Sequence, residues 1–318
     1  MARACSKALP RKRGRESAKR TGGGWLRLIR ISLDLDIYLL EAVLNGVLLG
    51  GVLALLALGL NLIFGVVDVV WIAYAELVMC GMYAIWWLDA FFGWPFLLAA
   101  VAAILFVALL GVALHFFIIE PVLGSAPINQ LLATGGFLFF VQSFATLLFG
   151  TDFRNIGLRL PLLEFGDIDI SFARLLAFVV ALLGAGGLYL FLTRSFVGTA
   201  IRAIAQDRDI MGLMGVSARR VYFLTSAIGG GLAGLASCLL VLQYDVHPFI
   251  GNSFGPITFM ICVLGGLGNM IGGFVAAFIM SQIISIGGYY FSIEFSYVLA
   301  FLLFIVMIFV RPQGIFGR

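Results

Sequence analysis

Two carboxylates stand where an apolar chain can least hold them. Asp68 and Glu76 fall between the uncharged runs 42–67 and 77–88. A carboxylate at membrane depth is costly, so it normally faces a cavity or a partner. Such a group could contact an amine or amide of a passing solute. Trp71 and Tyr74 lie between the two acids and offer rings for stacking. A second reading stays open for both acids and both rings: they sit at the membrane interface, solvated from one side, where aromatic residues also gather. The run 246–293 contains Gly265, Gly266 and Gly268 after Pro248 and Pro256. Unwound backbone is tolerated at membrane depth only where it is buried in protein or lines a cavity. These three glycines are therefore read as part of the same pathway as Asp68, Trp71, Tyr74 and Glu76.

Other chemistry is absent from the motifs. No G-x-x-x-x-G-K-[ST] loop occurs, and no lysine follows Lys19. The chain cannot bind ATP by such a loop of its own. No H-E-x-x-H or G-x-S-x-G occurs either, so the sequence reads as a non-enzyme without a cofactor. His115 and His247 lie far apart, and Cys5, Cys80, Cys238 and Cys262 form no C-x-x-C pair. Neither a metal site nor a disulfide is expected.

The elements that must position these residues are membrane helices. The chain has 318 residues, 62% hydrophobic and 11% charged, whereas soluble domains are about a quarter charged. Its apolar runs are helix-length rather than strand-length. Gly46, Gly50 and Ala54 follow the small-xxx-small spacing that lets helices approach closely. The fold class is all-α and polytopic, with about 8–10 transmembrane or re-entrant helices in two pseudo-symmetric halves. The 48 residues of 246–293 carry no Asp, Glu, Lys or Arg. That is too long for one span of about twenty residues, so the run must hold two elements, one of them broken.

Residues 1–30 hold ten Lys/Arg against the single acid Glu16. Residues 1–36 are read as a disordered basic tail, 37–318 as the transmembrane domain, and nucleic acid is not an expected partner. The stretch 194–220 is a polar island with five arginines and two aspartates. By the positive-inside rule the tail, the island and the C-terminal Arg311 and Arg318 are all placed in the cytoplasm, and the acid-rich loop 150–172 outside. Four obvious runs precede that loop, so parity asks for a further element hidden between about 41 and 92. The count becomes five elements, then one, then four. Within the island, 199–214 has helical spacing, ended by Gly215. Mixed charge and small residues favour a docking helix over a lipid anchor. Arg202, Ala203, Ile204, Asp207, Arg208, Met211 and Gly215 are the candidate docking residues.

Several stretches, in this order, resemble one known family. They are Asn45-Gly46 through Ala57-Leu58-Gly59-Leu60 to Phe64-Gly65; Gly198-Thr199-Ala200-Ile201-Arg202-Ala203 with Gly215-Val216; Ala233-Gly234-Leu235-Ala236; Val263-Leu264-Gly265-Gly266-Leu267-Gly268; and Arg311-Pro312-Gln313-Gly314-Ile315-Phe316-Gly317. The chain resembles the membrane permease subunits of bacterial ABC importers for branched-chain amino acids, the LivH/LivM group. The resemblance implies an inner-membrane permease paired with a second permease subunit, two cytoplasmic ATPase subunits that bind the ATP, and a periplasmic binding protein. It implies that the island is the coupling helix. One stretch departs. Where the family shows Asn-Phe-Ala-His-Gly, this chain has Trp71-Ile72-Ala73-Tyr74-Ala75, with Glu76 retained. That leaves branched-chain amino acids, urea and short amides all open as solutes. The competing class is a secondary transporter driven by an ion gradient, with Asp68 or Glu76 as its ion site.

Overall fold

The computed structural model describes residues 22–157, 161–165, 168–207, 211 and 215–317, with side chains described from Tyr38 onward and outside 162–170. Helix α1 is Gly22–Val67, α2 is Tyr74–Phe92, and α3 is Phe96–Val122, which passes through a π-turn at His115–Ile119. Helix α4 is Pro127–Phe149, α5 is Phe172–Arg194, α6 is Phe196–Gln206 and α7 is Ala218–Leu240. Helix α8 is Ile250–Gly265, α9 is Met270–Tyr290 and α10 is Ile293–Val310. Between α4 and α5 lies a two-stranded antiparallel hairpin, β1 (Leu162–Phe165) and β2 (Ile168–Ser171), in register Leu162 with Ser171. The fold is all-α apart from that hairpin. Among the described residues, eight helices are long and apolar enough to cross a membrane; α8, with 16 residues, is shorter. At about 1.5 Å per residue it reaches about 24 Å, less than the hydrocarbon core.

Local sequence explains the boundaries. Pro127 opens α4, where its missing N–H is no loss. Gly93 takes the left-handed conformation that ends α2. Ser195 caps α6 by accepting from the Gly198 amide, and Asn269 caps α9 by accepting from the Gly272 amide. From Ala42 to Val67 helix α1 carries no charge and is the central post: 83% of its most apolar window is buried, against 17% for α4. The small-residue stripe of α1 faces α9. A Cβ on Gly50 would meet the Ser281 hydroxyl at 2.6 Å and the Phe278 ring at 2.8 Å.

The direction of α1 corrects the sequence-based placement. Its Asn45 side chain accepts from Arg174 Nη1 at 2.8 Å, in the first turns of α5, beside the hairpin. Its far end, Phe64 to Val66, lines a cavity with α6. The chain therefore enters α1 at the hairpin end, opposite α6. The island and the C-terminal stretch do share one end: the Ile315 amide donates to Leu264 O at the foot of α8. The charge count used the basic tail as an anchor, whereas packing around α1 fixes its direction. With α1 reversed, parity is met without a hidden element, and none is found between 41 and 92 beyond α1 and α2. Residues 1–21 of the tail lie outside the described residues, and α1 begins at Gly22, inside the stretch read as tail.

Candidate functional site: two interrupted helices and a buried carboxylate

Two stretches of chain turn back into the bundle before starting a helix. Residues 68–73 follow α1 and lead into α2 from the α6 end. Residues 241–249 follow α7 and lead into α8 from the hairpin end. The two are opposite in sense, the pattern in which paired interrupted helices meet inside a transporter. Asp68 starts the first. It is the only non-glycine with positive φ among the described residues, at 58°. Asp tolerates that left-handed conformation better than most residues. Tyr74 then donates its hydroxyl to Gly229 O at 2.9 Å, midway along α7. Gly59 lies against the same hydroxyl. It is eight residues before the end of α1, so α2 begins about 12 Å inside the bundle.

The helix starts meet at Glu76. It lies in the first turn of α2 and is 1% exposed. A Cβ on Gly251, in the first turn of α8, would fall 2.7 Å from the Glu76 carboxyl carbon. Only glycine admits the two helices this closely. Gln142 of α4, also buried, donates Nε2 to Glu76 Oε1 at 2.9 Å and to Asn252 Oδ1 at 2.8 Å. Glu76 Oε2 finds no hydrogen-bond partner among the described residues. A negative charge at a helix N-terminus is favoured by the macrodipole, which helps this carboxylate endure burial. Asn252 is exposed, and so are Ser253 and Pro256 beyond it on α8. The cluster therefore runs from a buried acid to the open face of α8.

The predicted pathway residues separate into three groups. Glu76 is the centre of the cluster. Trp71 and Tyr74 are 2% and 1% exposed and meet edge-to-face, with centroids 6.1 Å apart. They are packing residues, so the stretch that departs from the family pattern falls on the core rather than on an open wall. Asp68 and Gly268 line a different cavity of about 540 Å³, together with Gly65, Leu267 and the α6 residues Ile204, Gln206 and Asp207. Gly265, Gly266 and Gly268 lie where α8 ends, at the α6 end of the bundle. They make the tight turn between α8 and α9, with φ of 99° at Gly266 and 78° at Gly268. Gly266 is pressed against Gly317 of the C-terminal stretch, a Cβ there lying 3.0 Å from its amide nitrogen. The interruption in the second half is at 241–249 instead.

Helix α6 ends at Gln206 with Asp207 extended, and Met211 beyond it is helical again; 208–210 and 212–214 lie outside the described residues. Ile201 and Ile204 are buried and hold it to the bundle, while Arg202, Gln206 and Asp207 are exposed and Ala203 is half-buried. Met211 packs partly against the core. Gly215 takes φ 81° before α7. Arg208 lies outside the described residues. Sequence reasoning missed Gln142 and Asn252. Both sit in runs scanned only for formal charge, and a search for amides in uncharged spans would have found them.

Residues 42–308 match the family model for the permease component of branched-chain amino acid transport systems. The chain belongs to that family. This permease is 31% identical over 297 residues to the high-affinity branched-chain amino acid transport system permease protein BraD of Pseudomonas aeruginosa, covering 88% of this chain and 96% of that protein. It is 30% identical to the corresponding protein LivH of Escherichia coli, over 89% of this chain and 96% of that protein. A probable LivH of Methanocaldococcus jannaschii is 25% identical, over 87% and 92%. The permease is thus a multi-pass membrane transport component rather than an enzyme.

Proposed function

We propose that this permease moves branched-chain aliphatic amino acids into the cell, as the membrane subunit of an ATP-driven importer. The observation that carries the reading is α6: an amphipathic helix at one end of the bundle, anchored by Ile201 and Ile204 and presenting Arg202, Gln206 and Asp207 outward. A cytoplasmic ATPase subunit grips that face and binds the ATP, for which this chain has no phosphate loop. The α6 end and the C-terminal stretch are cytoplasmic; the hairpin and the start of α1 face the periplasm, where a binding protein delivers the solute. A second permease subunit covers the open face of α8 and completes the pathway. Glu76 supplies the polar contact inside it.

The test is uptake of labelled leucine by the permease purified with its companion subunits and placed in vesicles. Uptake should require ATP on the α6 side and cease when the ATPase subunit is removed. Uptake that persists without the ATPase and follows an ion gradient would overturn the reading in favour of a secondary transporter.

A further inference from the structure

One cavity brings two opposite charges together without pairing them. It lies at the hairpin end, has a volume of about 510 Å³, and is walled by α1, α5, α9, α10 and the interruption at 241–249. Glu41 and Asn45 line it from α1, and Arg174 lines it from α5. Arg174 is held by one bond, from its Nη1 to Asn45 Oδ1 at 2.8 Å. Glu41 precedes Asn45 by one helical turn, which sets their Cβ atoms about 5–6 Å apart on one face of α1. Neither Glu41 nor Arg174 has an ion-pair partner among the described residues. Elsewhere this chain does close such a pair: Arg219 meets Glu120 directly.

The rest of the wall is mixed. Leu49 and Ile284 add aliphatic surface, and Tyr244 and Tyr297 add phenols. A concave site with apolar walls and a few converging polar groups is the usual form of a small-molecule site, and the volume falls in that range. Tyr244 also ties the cavity to the centre of the bundle. It belongs to the interruption at 241–249, and its ring packs edge-to-face on Phe254 of α8, with centroids 5.3 Å apart. One side chain thus joins this cavity to the helix whose first turn meets Glu76.

We propose that this cavity is an outer receiving site for a zwitterion, with an anionic group on Arg174, an ammonium on Glu41 and an aliphatic chain along Leu49 and Ile284. The inference rests on the transport reading above and deepens it: a free amino acid makes its first contact with the subunit here. Beyond the Asn45 bond, Arg174 has N–H donors to spare for a bidentate grip on a carboxylate. Glu41, ionised, is acceptor-only and suits the three donors of an ammonium. The two charged groups of an α-amino acid sit close together, and the long side chains of Arg174 and Glu41 can close on them from either side. An ethanolamine phospholipid headgroup presents the same two charges, and the experiment separates the two sources.

Gly288 supplies the reporter position. It lines the cavity, and a Cβ there would meet only the Ile293 side chain, at 4.0 Å. The assembled transporter carrying Gly288→Cys is placed in phosphatidylcholine nanodiscs, and the rate at which a small maleimide modifies that position is read by mass spectrometry. Leucine at saturation should slow modification about fivefold or more, the lower end of ordinary coupling between two bound groups. Glu41→Gln and Arg174→Gln should each raise the leucine concentration for half protection about tenfold or more, the loss expected for one charged hydrogen bond. Isoamylamine lacks the carboxylate, so it should protect the Arg174→Gln variant at the same concentration as the parent, which also shows that variant to be folded. Isocaproate lacks the ammonium and should likewise be indifferent to Glu41→Gln. Leucine midpoints unchanged in both variants overturn the site. Protection by phosphatidylethanolamine in the disc, with leucine inert, makes the headgroup the ligand and overturns the amino acid as occupant. No protection by either, in a preparation that takes up leucine with ATP, overturns the site and leaves the transport reading standing. Leucine protection that depends on Glu41 and Arg174, without ATP-driven uptake, keeps the site and overturns that reading.

Discussion

The two interruptions of the bundle are built differently. The one at 68–73 is held by packing: Val69, Trp71 and Ala73 are each 2% exposed or less, and its first residue is locked in the left-handed region. The one at 241–249 is held by polar contacts to the loop after α4. Val246 exchanges backbone hydrogen bonds with Arg154, Asn155 donates to Asp245 Oδ1, and the His247 ring lies tilted against Phe153 with centroids 4.9 Å apart. The first touches α6 through the cavity that contains Asp68. The second touches the exposed loop at the opposite end. The two thus lie at opposite ends of the bundle, and they lead into the first turns of α2 and α8, where Glu76 and Gly251 meet. A packed connection transmits displacement because interiors are dense and compress little. A connection made by hydrogen bonds between two loops, as at Arg154 and Val246, moves only when those bonds break.

That contrast can be broken at its meeting point. Gly251→Val should have the largest effect, with leucine uptake near background and less assembled transporter by size-exclusion chromatography. Overpacking of this kind costs about 1–3 kcal/mol or more. Gly255→Ala, whose Cβ would lie 3.4 Å from Ala75, should remain active and serve as the control. Unimpaired uptake in Gly251→Val would mean that the two helix starts need not touch.

The α6 side offers the next effect. Arg202→Glu reverses an exposed charge, and Ala203→Gly with Ala205→Gly softens the helix by about 1 kcal/mol per site. Both should leave expression intact while ATP hydrolysis proceeds with little uptake. Normal transport in these variants would remove α6 as the coupling element. The smallest effect is expected at the packed interruption itself. Asp68→Gly relieves a left-handed residue, worth about 1–2 kcal/mol, yet frees the hinge. Thermal stability should hold or rise slightly while the ATP spent per leucine increases. Equal coupling in Asp68→Gly would make 68–73 a passive link.

Much of this was legible before any fold was seen. Charge depletion announced the membrane, the spacing within 194–220 announced a short amphipathic helix, and Glu76 stood out as an acid between spans. The cluster around it was not legible in full, since Gln142 and Asn252 lie 66 and 110 residues from their partners. Their amides carry no formal charge to mark them in an apolar run. The glycines 265–268 were read as a break because composition cannot distinguish a turn at the end of a span from one inside it.

The sequence by itself determined the solvent, the class and the amphipathic helix of the polar island, because these follow from transfer free energies and periodicity that each segment carries alone. Only the tertiary structure decided which way α1 runs, which of two carboxylates is buried, and that two helix starts converge on one of them. Those are properties of packing between distant segments. They depend on where a glycine lets backbones approach, which no single stretch of chain encodes.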